Sequence, residues 1–242
     1  MLWRLVVCVL PACTLATPPP CDEASETACF AGAMRGLLGE RMADVEVCAP
    51  DYSDIACVLT DDEGTWRLEG FPRDTDVVVT ATAENMIDTL FPQTTSMDWL
   101  DWYKVMVPES IVASNARTVG AELDPSMGHM FFVVFDDVSV DGTEPKRISD
   151  VTVTVEGALG TVFYANALGL AAAGRTETSS NGSGGVLNLP VGIHRVTFRH
   201  EGRVCNQQSF HFEPDGEAIP VPIRAGFTSA IDVMCPDDQS AE

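Results

Sequence analysis

Basic residues are scarce in this chain: 14 Lys+Arg stand against 36 Asp+Glu in 242 residues, a formal net charge of −22. A surface of that sign repels nucleic acid and anionic lipid headgroups, so DNA or RNA binding is a poor expectation. The spacings that metal chemistry needs are also missing. None of the eight cysteines forms a C-x-x-C pair, and the four histidines show no H-x-H or H-E-x-x-H spacing. His194, His200 and His211 fall on strand-like stretches of the second half, where a polar surface role is the simpler reading, and His129 precedes a Phe131-Phe132 strand. Nucleophilic catalysis lacks its signature too. Asn181-Gly-Ser183-Gly-Gly is without the first glycine of a G-x-S-x-G elbow and reads as a hairpin tip, while Asn181-Gly-Ser183 also fits a glycosylation sequon. Asp136, Asp137, Asp141 and Glu144 could gather around Ca²⁺, but their spacing is not that of an EF-hand loop and a solvated acidic loop is favoured. No catalytic residue, metal or cofactor is expected.

What the chain does have is enough apolar content for packed cores, with 45% hydrophobic and 21% charged residues. The N-terminus is a separate segment. Met1 to Arg4 carries one positive charge, and Leu5 to Leu10 is an apolar run far too short to span a bilayer but suited to an export signal. It leads into Leu10-Pro-Ala-Cys13, which resembles a bacterial lipobox, and then into the proline-rich stretch Thr14 to Pro20. The resemblance implies lipidation at Cys13 and an exported, membrane-anchored protein; a plain secretory signal with Cys13 unmodified stays open as the alternative. Six cysteines then remain, Cys21, Cys29, Cys48, Cys57, Cys205 and Cys235. Sequence neighbourhood favours Cys21–Cys29, Cys48–Cys57 and Cys205–Cys235 out of the pairings possible, in an oxidising compartment.

An internal repeat organises the rest. Thr60-Asp-Asp-Glu-Gly64-Thr-Trp-Arg-Leu-Glu-Gly-Phe-Pro72 and Thr178-Ser-Ser-Asn-Gly182-Ser-Gly-Gly-Val-Leu-Asn-Leu-Pro190 place Thr, Gly and Pro at the same mutual spacing. Ala43-Asp-Val-Glu-Val47 and Ser149-Asp-Val-Thr-Val153 lie upstream of the two copies, and the second copy has the longer intervening loop. Each glycine suits a turn that needs positive φ, and each proline suits a strand end where the chain crosses between sheets. Period-2 alternation follows in Val77 and Val79, and in Val196 and Phe198. Further strands are expected near Phe30–Leu37, Met130–Phe135, Ile219–Ile223 and Thr228–Val233. Pro108 and Glu109 open a helix expected over residues 108 to 120, with Ile111, Val112, Asn115 and Val119 at helical spacing. The fold class is therefore all-β: two small β-sandwich domains, transthyretin-like or Ig-like, with one short helix between them. The expected boundaries are 1–20 for signal and spacer, 21–107 and 128–235 for the sandwiches, 108–127 for the helical linker and 236–242 for an acidic tail.

Asp44-Val-x-Val47, Thr60-Asp-x-x-Gly64-x-Trp66, Gly70-Phe-Pro72 and Val77-Val-Val together resemble the carboxypeptidase regulatory-like domain, a transthyretin-like sandwich of prealbumin type. The resemblance covers roughly 29–107 well and 128–235 more loosely, and implies an accessory domain without catalytic residues. Two enzyme families with related sandwiches fit poorly. The C-terminal Tyr-Arg-Gly-Ser of hydroxyisourate hydrolases and the Tyr/His iron set of intradiol dioxygenases are both missing. The functional expectation is a non-enzymatic surface lipoprotein serving as spacer or binding module, with a protein or glycan ligand at the cell surface. Trp99, Trp102 and Tyr103 are the candidate sugar platform, against a simpler role as packing residues.

Overall fold

The computed structural model describes residues 26–95, 99–136, 145–157, 160–205 and 217–236, with 99–103 as backbone alone. The first half supplies β1 (Thr27–Arg35), β2 (Glu46–Cys48), β3 (Val58–Leu59), β4 (Thr65–Pro72), β5 (Asp76–Thr82), β6 (Asp88–Thr94) and β7 (Trp99–Val105). A helix, α1 (Glu109–Thr118), follows. The second half gives β8 (Gly128–Phe135), β9 (Thr152–Val155), β10 (Thr161–Tyr164), β11 (Ser183–Leu189), β12 (Gly192–Arg199), β13 (Ile219–Ile223) and β14 (Phe227–Met234). The fold is all-β with one helix among the described residues, as the alternation and the Pro108-Glu109 start predict.

Each half is a sandwich. In the first, β4-β1-β7 faces β3-β2-β5-β6; in the second, β10-β11-β8-β14 faces β13-β12-β9. Phe30, Met34, Trp66, Leu68, Val77, Val79 and Phe91 fill the first core, and Met130, Phe132, Val186, Val196, Phe198, Ile219 and Ile231 fill the second. Both prolines mark sheet crossings as expected, since the chain leaves β4 after Pro72 and β11 before Pro190 to enter the opposite sheet.

The halves are not strung apart by a flexible linker. Phe227, Thr228 and Ser229 of β14 pair in parallel with Asp88, Thr89 and Leu90 of β6, so two four-stranded sheets merge into one sheet of eight. The ladder stops short of Pro92, which has no N–H to extend it. Alternation along β14 then assigns its faces: Ala230 packs on the first core and Ile231 belongs to the second. The two three-stranded sheets therefore cover opposite faces of the common sheet. Helix α1 covers the remaining face of the second half, where Val112 and Ala116 meet Phe163, Leu187 and Phe131. Glu109 in its first turn and Arg117 in its last complement the helix dipole, and the Asn115 side-chain oxygen accepts the Ala171 N–H at 3.1 Å.

The sequence repeat is also a repeat of hydrogen bonds. Val45 N–H donates to the Thr60 hydroxyl at 2.9 Å, and that hydroxyl donates to the Met42 carbonyl at 2.7 Å. In the second half Val151 N–H donates to the Thr178 hydroxyl at 3.0 Å, which donates to the Ile148 carbonyl at 3.1 Å. Asp44 and Asp150 both take positive φ, 57° and 62°, beside these threonines. At Gly64 and Gly182 a Cβ would lie 2.6 Å from the Met34 or Val134 carbonyl, so neither position has room for a side chain. The two turns are expected as hairpins, and this is corrected: both reverse the chain, but the first joins β3 of the large sheet to β4 of the other, and no strand directly precedes the second, since β10 ends at Tyr164. The Thr60 hydroxyl bonds the segment just ahead of β2, at Met42 and Val45, and so fixes the turn where the chain passes between sheets.

Candidate functional site

Two places matter chemically, the seam between the halves and the turn that each half repeats. At the seam, Lys104 of β7 is nearly fully buried and donates to Asp232 of β14 at 2.7 Å, with its ammonium 5.6 Å from the centre of the Phe91 ring. The pair ties the last strand of one half to that of the other. Arg224 binds both carboxylate oxygens of Asp51 at 3.1 and 3.0 Å and adds a second, more exposed tie. Around the β6–β14 ladder, Thr89, Thr228 and His129 are all buried. Burial holds the His129 imidazole below its ordinary range, and its Nδ1 accepts the Asn188 N–H at 3.2 Å. Burial, with Glu109 nearby, pushes the Asp88 carboxyl up. The Gln93 amide and the Thr228 hydroxyl are buried without a partner among the described residues, and such groups are usually met by ordered water.

In the first turn, Asp61 accepts the Glu63 and Thr65 N–H groups and the Thr65 hydroxyl. That hydroxyl is the main reason its carboxyl sits below the usual range. Arg41 forms an ion pair with Glu63. The second turn has Ser179 where the first has Asp61, and Asn181 where the first has Glu63. Arg147 Nη1 donates to Asn181 Oδ1 at 2.6 Å, and Ser183 Oγ donates to the same oxygen at 3.0 Å.

The candidates named from sequence are scattered. Cys48–Cys57 and Cys205–Cys235 are disulfides, closing chain separations of 9 and 30 residues. Cys29 is in a disulfide whose partner lies outside the described residues, as do Cys13 and Cys21. Glu46, Cys48 and Cys57 are close enough together for a metal, but both sulfurs are spent in their bond. Trp99, Trp102 and Tyr103 belong to β7, paired in parallel with Phe30, Gly32 and Ala33 of β1; their side chains lie outside the described residues. His194 Nε2 is 2.7 Å from the Pro190 carbonyl, and His200 Nδ1 is buried without a partner among the described residues, while His211 is not described. Ser183 Oγ is turned to the Asn181 amide oxygen. Of the acidic loop, only Asp136 is described, accepting the Lys146 N–H at 2.8 Å. Nothing in the residues around Lys104 or Asp232 signals a partner 128 positions away, so the sequence carries no mark of this pair.

No protein-family model matches the chain, and no curated protein does. The resemblance to the carboxypeptidase regulatory-like domain therefore stays with the turn and strand residues that carry it. Several solved structures are similar. The Bacillus anthracis TIE protein has 13% identity and a TM-score of 0.26, over 87% of this chain and 34% of its own. The minor pilin GBS52 of Streptococcus agalactiae has 12% identity and a TM-score of 0.31, over 87% of this chain and 96% of its own. BcpA, the major pilin subunit of Bacillus cereus, has 8% identity and a TM-score of 0.26, over 88% and 100%. The chain spans about a third of the length of the first of these. Values this low assign no partner or activity, and the fold rests on the chain's own strands. No helix among the described residues is long and apolar enough to cross a membrane.

Proposed function

We propose that the chain is a non-enzymatic surface protein in which residues 21–107 and 128–235 are two sandwich modules fused into one stiff spacer or binding unit. The observation that carries this reading is the merged sheet of eight strands. A β-ladder, a buried Lys104–Asp232 pair and a helix docked on the second half all resist bending where modules joined by a linker would flex. Three of the groups with shifted protonation fit the same reading. Asp61, His129 and Tyr164 each spend their polar atoms on backbone groups: Tyr164 Oη accepts the Val153 N–H at 2.8 Å.

Spin labels on Glu69→Cys and Arg199→Cys test the stiffness. A single narrow distance distribution is expected; a broad or two-peaked one overturns the spacer reading. Cys13 as lipid anchor belongs to the same proposal, with the acidic modules held off the membrane by the Thr14 to Pro20 segment. Cys13→Ser should move the folded protein from the membrane to the soluble fraction, and a wild-type chain found soluble with Cys13 unmodified would replace anchoring by plain secretion. A glycan ligand is the second reading, favoured only by three aromatic residues falling on one outer strand, β7. Trp102→Ala should then abolish a glycan-array signal.

A further inference from the structure

The two repeated turns differ at one chemically telling position. Glu63 and Asn181 are equivalent by the spacing from Thr60 and Thr178, and Arg41 and Arg147 are equivalent by their place one residue before Met42 and Ile148. The first repeat sets a carboxylate against its arginine. The second sets a neutral amide against an arginine in the corresponding place, and that amide is followed by Gly182. From this we infer that Asn181 is a site of spontaneous deamidation, and that its product carboxylate is received by Arg147 as Glu63 is by Arg41.

The chemistry needs no partner beyond water. Gly182 has no side chain to hinder its nitrogen, which attacks Cγ of Asn181. The N–Cγ bond forms, the Cγ–Nδ2 bond breaks, and the displaced nitrogen leaves as ammonia with the Gly182 proton. Water then opens the five-membered imide to aspartate or to isoaspartate. Negative charge develops on Oδ1 during the attack, where Arg147 Nη1 and Ser183 Oγ already donate. Among the described residues the departing Nδ2 donates to the Ala167 carbonyl, a long contact at 3.4 Å. The Gly182 N–H donates to the Ser179 carbonyl at 2.8 Å, so the turn must open locally before the nitrogen attacks. Imide opening to aspartate restores a side-chain carboxylate opposite Arg147. Opening to isoaspartate inserts a methylene into the backbone of a closely packed turn, where even a Cβ on Gly182 would meet the Val134 carbonyl, Arg147 and Ile148.

Peptide mapping of the folded protein, aged at pH 8, tests the inference on the tryptic fragment beginning at Thr176. The expected result is a gain of one mass unit, with aspartate exceeding isoaspartate, and roughly tenfold slower conversion in Arg147→Gln because one donor to the developing charge is gone. Asn181→Asp should melt about 1–2 °C higher than wild type, as an exposed ion pair allows, and lose that gain in the Arg147→Gln background. No conversion in the folded protein, conversion at an unchanged rate in Arg147→Gln, or isoaspartate as the main product would each overturn the proposal. A neutral or destabilised Asn181→Asp would do the same.

Discussion

In the first repeat Trp66 of β4 stands opposite Gly32 of β1, and in the second Phe132 of β8 stands opposite Gly184 of β11. The same place in the core is filled from opposite strands, a large ring facing a glycine each time. An aromatic ring facing a glycine is kept while the strand that supplies the ring changes, which is the kind of exchange a close-packed core tolerates. The excursions before the repeated threonines differ more. Residues 49–57 make a short loop stapled by Cys48–Cys57, with Tyr52 set edge-on to Phe71. The longer second excursion builds β10 against β11, and Tyr164 reaches back to the Val153 N–H. The comparison separates what the fold needs at fixed positions, the threonine bonds and the crowded glycine, from what it needs only in total.

The largest effects should come from the staples, which are unlike in the two halves. Removing Cys205–Cys235 should cost about 4 kcal/mol and removing Cys48–Cys57 about 3, because the first closes the longer loop in the unfolded chain. Alanine pairs compared by urea unfolding check this, and a larger loss from the shorter loop would mean that native contacts, not chain entropy, set the order.

Thr60→Val and Thr178→Val sharpen the comparison next. Each strips a buried N–H and a carbonyl of the same partner, so each should cost roughly 2–3 kcal/mol. If one variant is nearly neutral, the two turns are alike in shape but not in energy.

Gly184→Ala should be costly by about 2 kcal/mol, since its Cβ would meet the Phe132 ring and the Phe163 carbonyl at 2.6 Å. Adding Phe132→Leu should recover part of the loss if the ring is the obstacle. Equal instability in both variants would place the clash on the backbone carbonyl instead.

The smallest expected effect is confined to the second half. His129 is held neutral by burial, so the folded state binds its proton at lower pH than the unfolded chain does. Its contribution is complete above the ordinary histidine range, near pH 6.5, and is lost as pH falls through the depressed folded value. Unfolding free energy should therefore decline on acidification, and His129→Gln should flatten that decline. An unchanged slope would assign the acid sensitivity to other groups.

Local chemistry alone decided a good deal here. The Thr, Gly and Pro spacing in two copies, the alternation after each proline and the Pro108-Glu109 helix start all act within a few residues, and they specify the turns, most of the long strands and α1 without reference to any distant contact. Asp88-Thr-Leu90 carries no comparable mark of its pairing with Phe227-Thr-Ser229, and β10 is a four-residue strand inside a loop. Nor does a lone lysine at 104 announce an aspartate at 232. Those features depend on backbone edges and side chains brought together from opposite ends of the chain, where the partner rather than the local residue type sets the energy. The tertiary structure alone decided that the two sandwiches would share a sheet, because a strand edge shows where it is open and not what will close it.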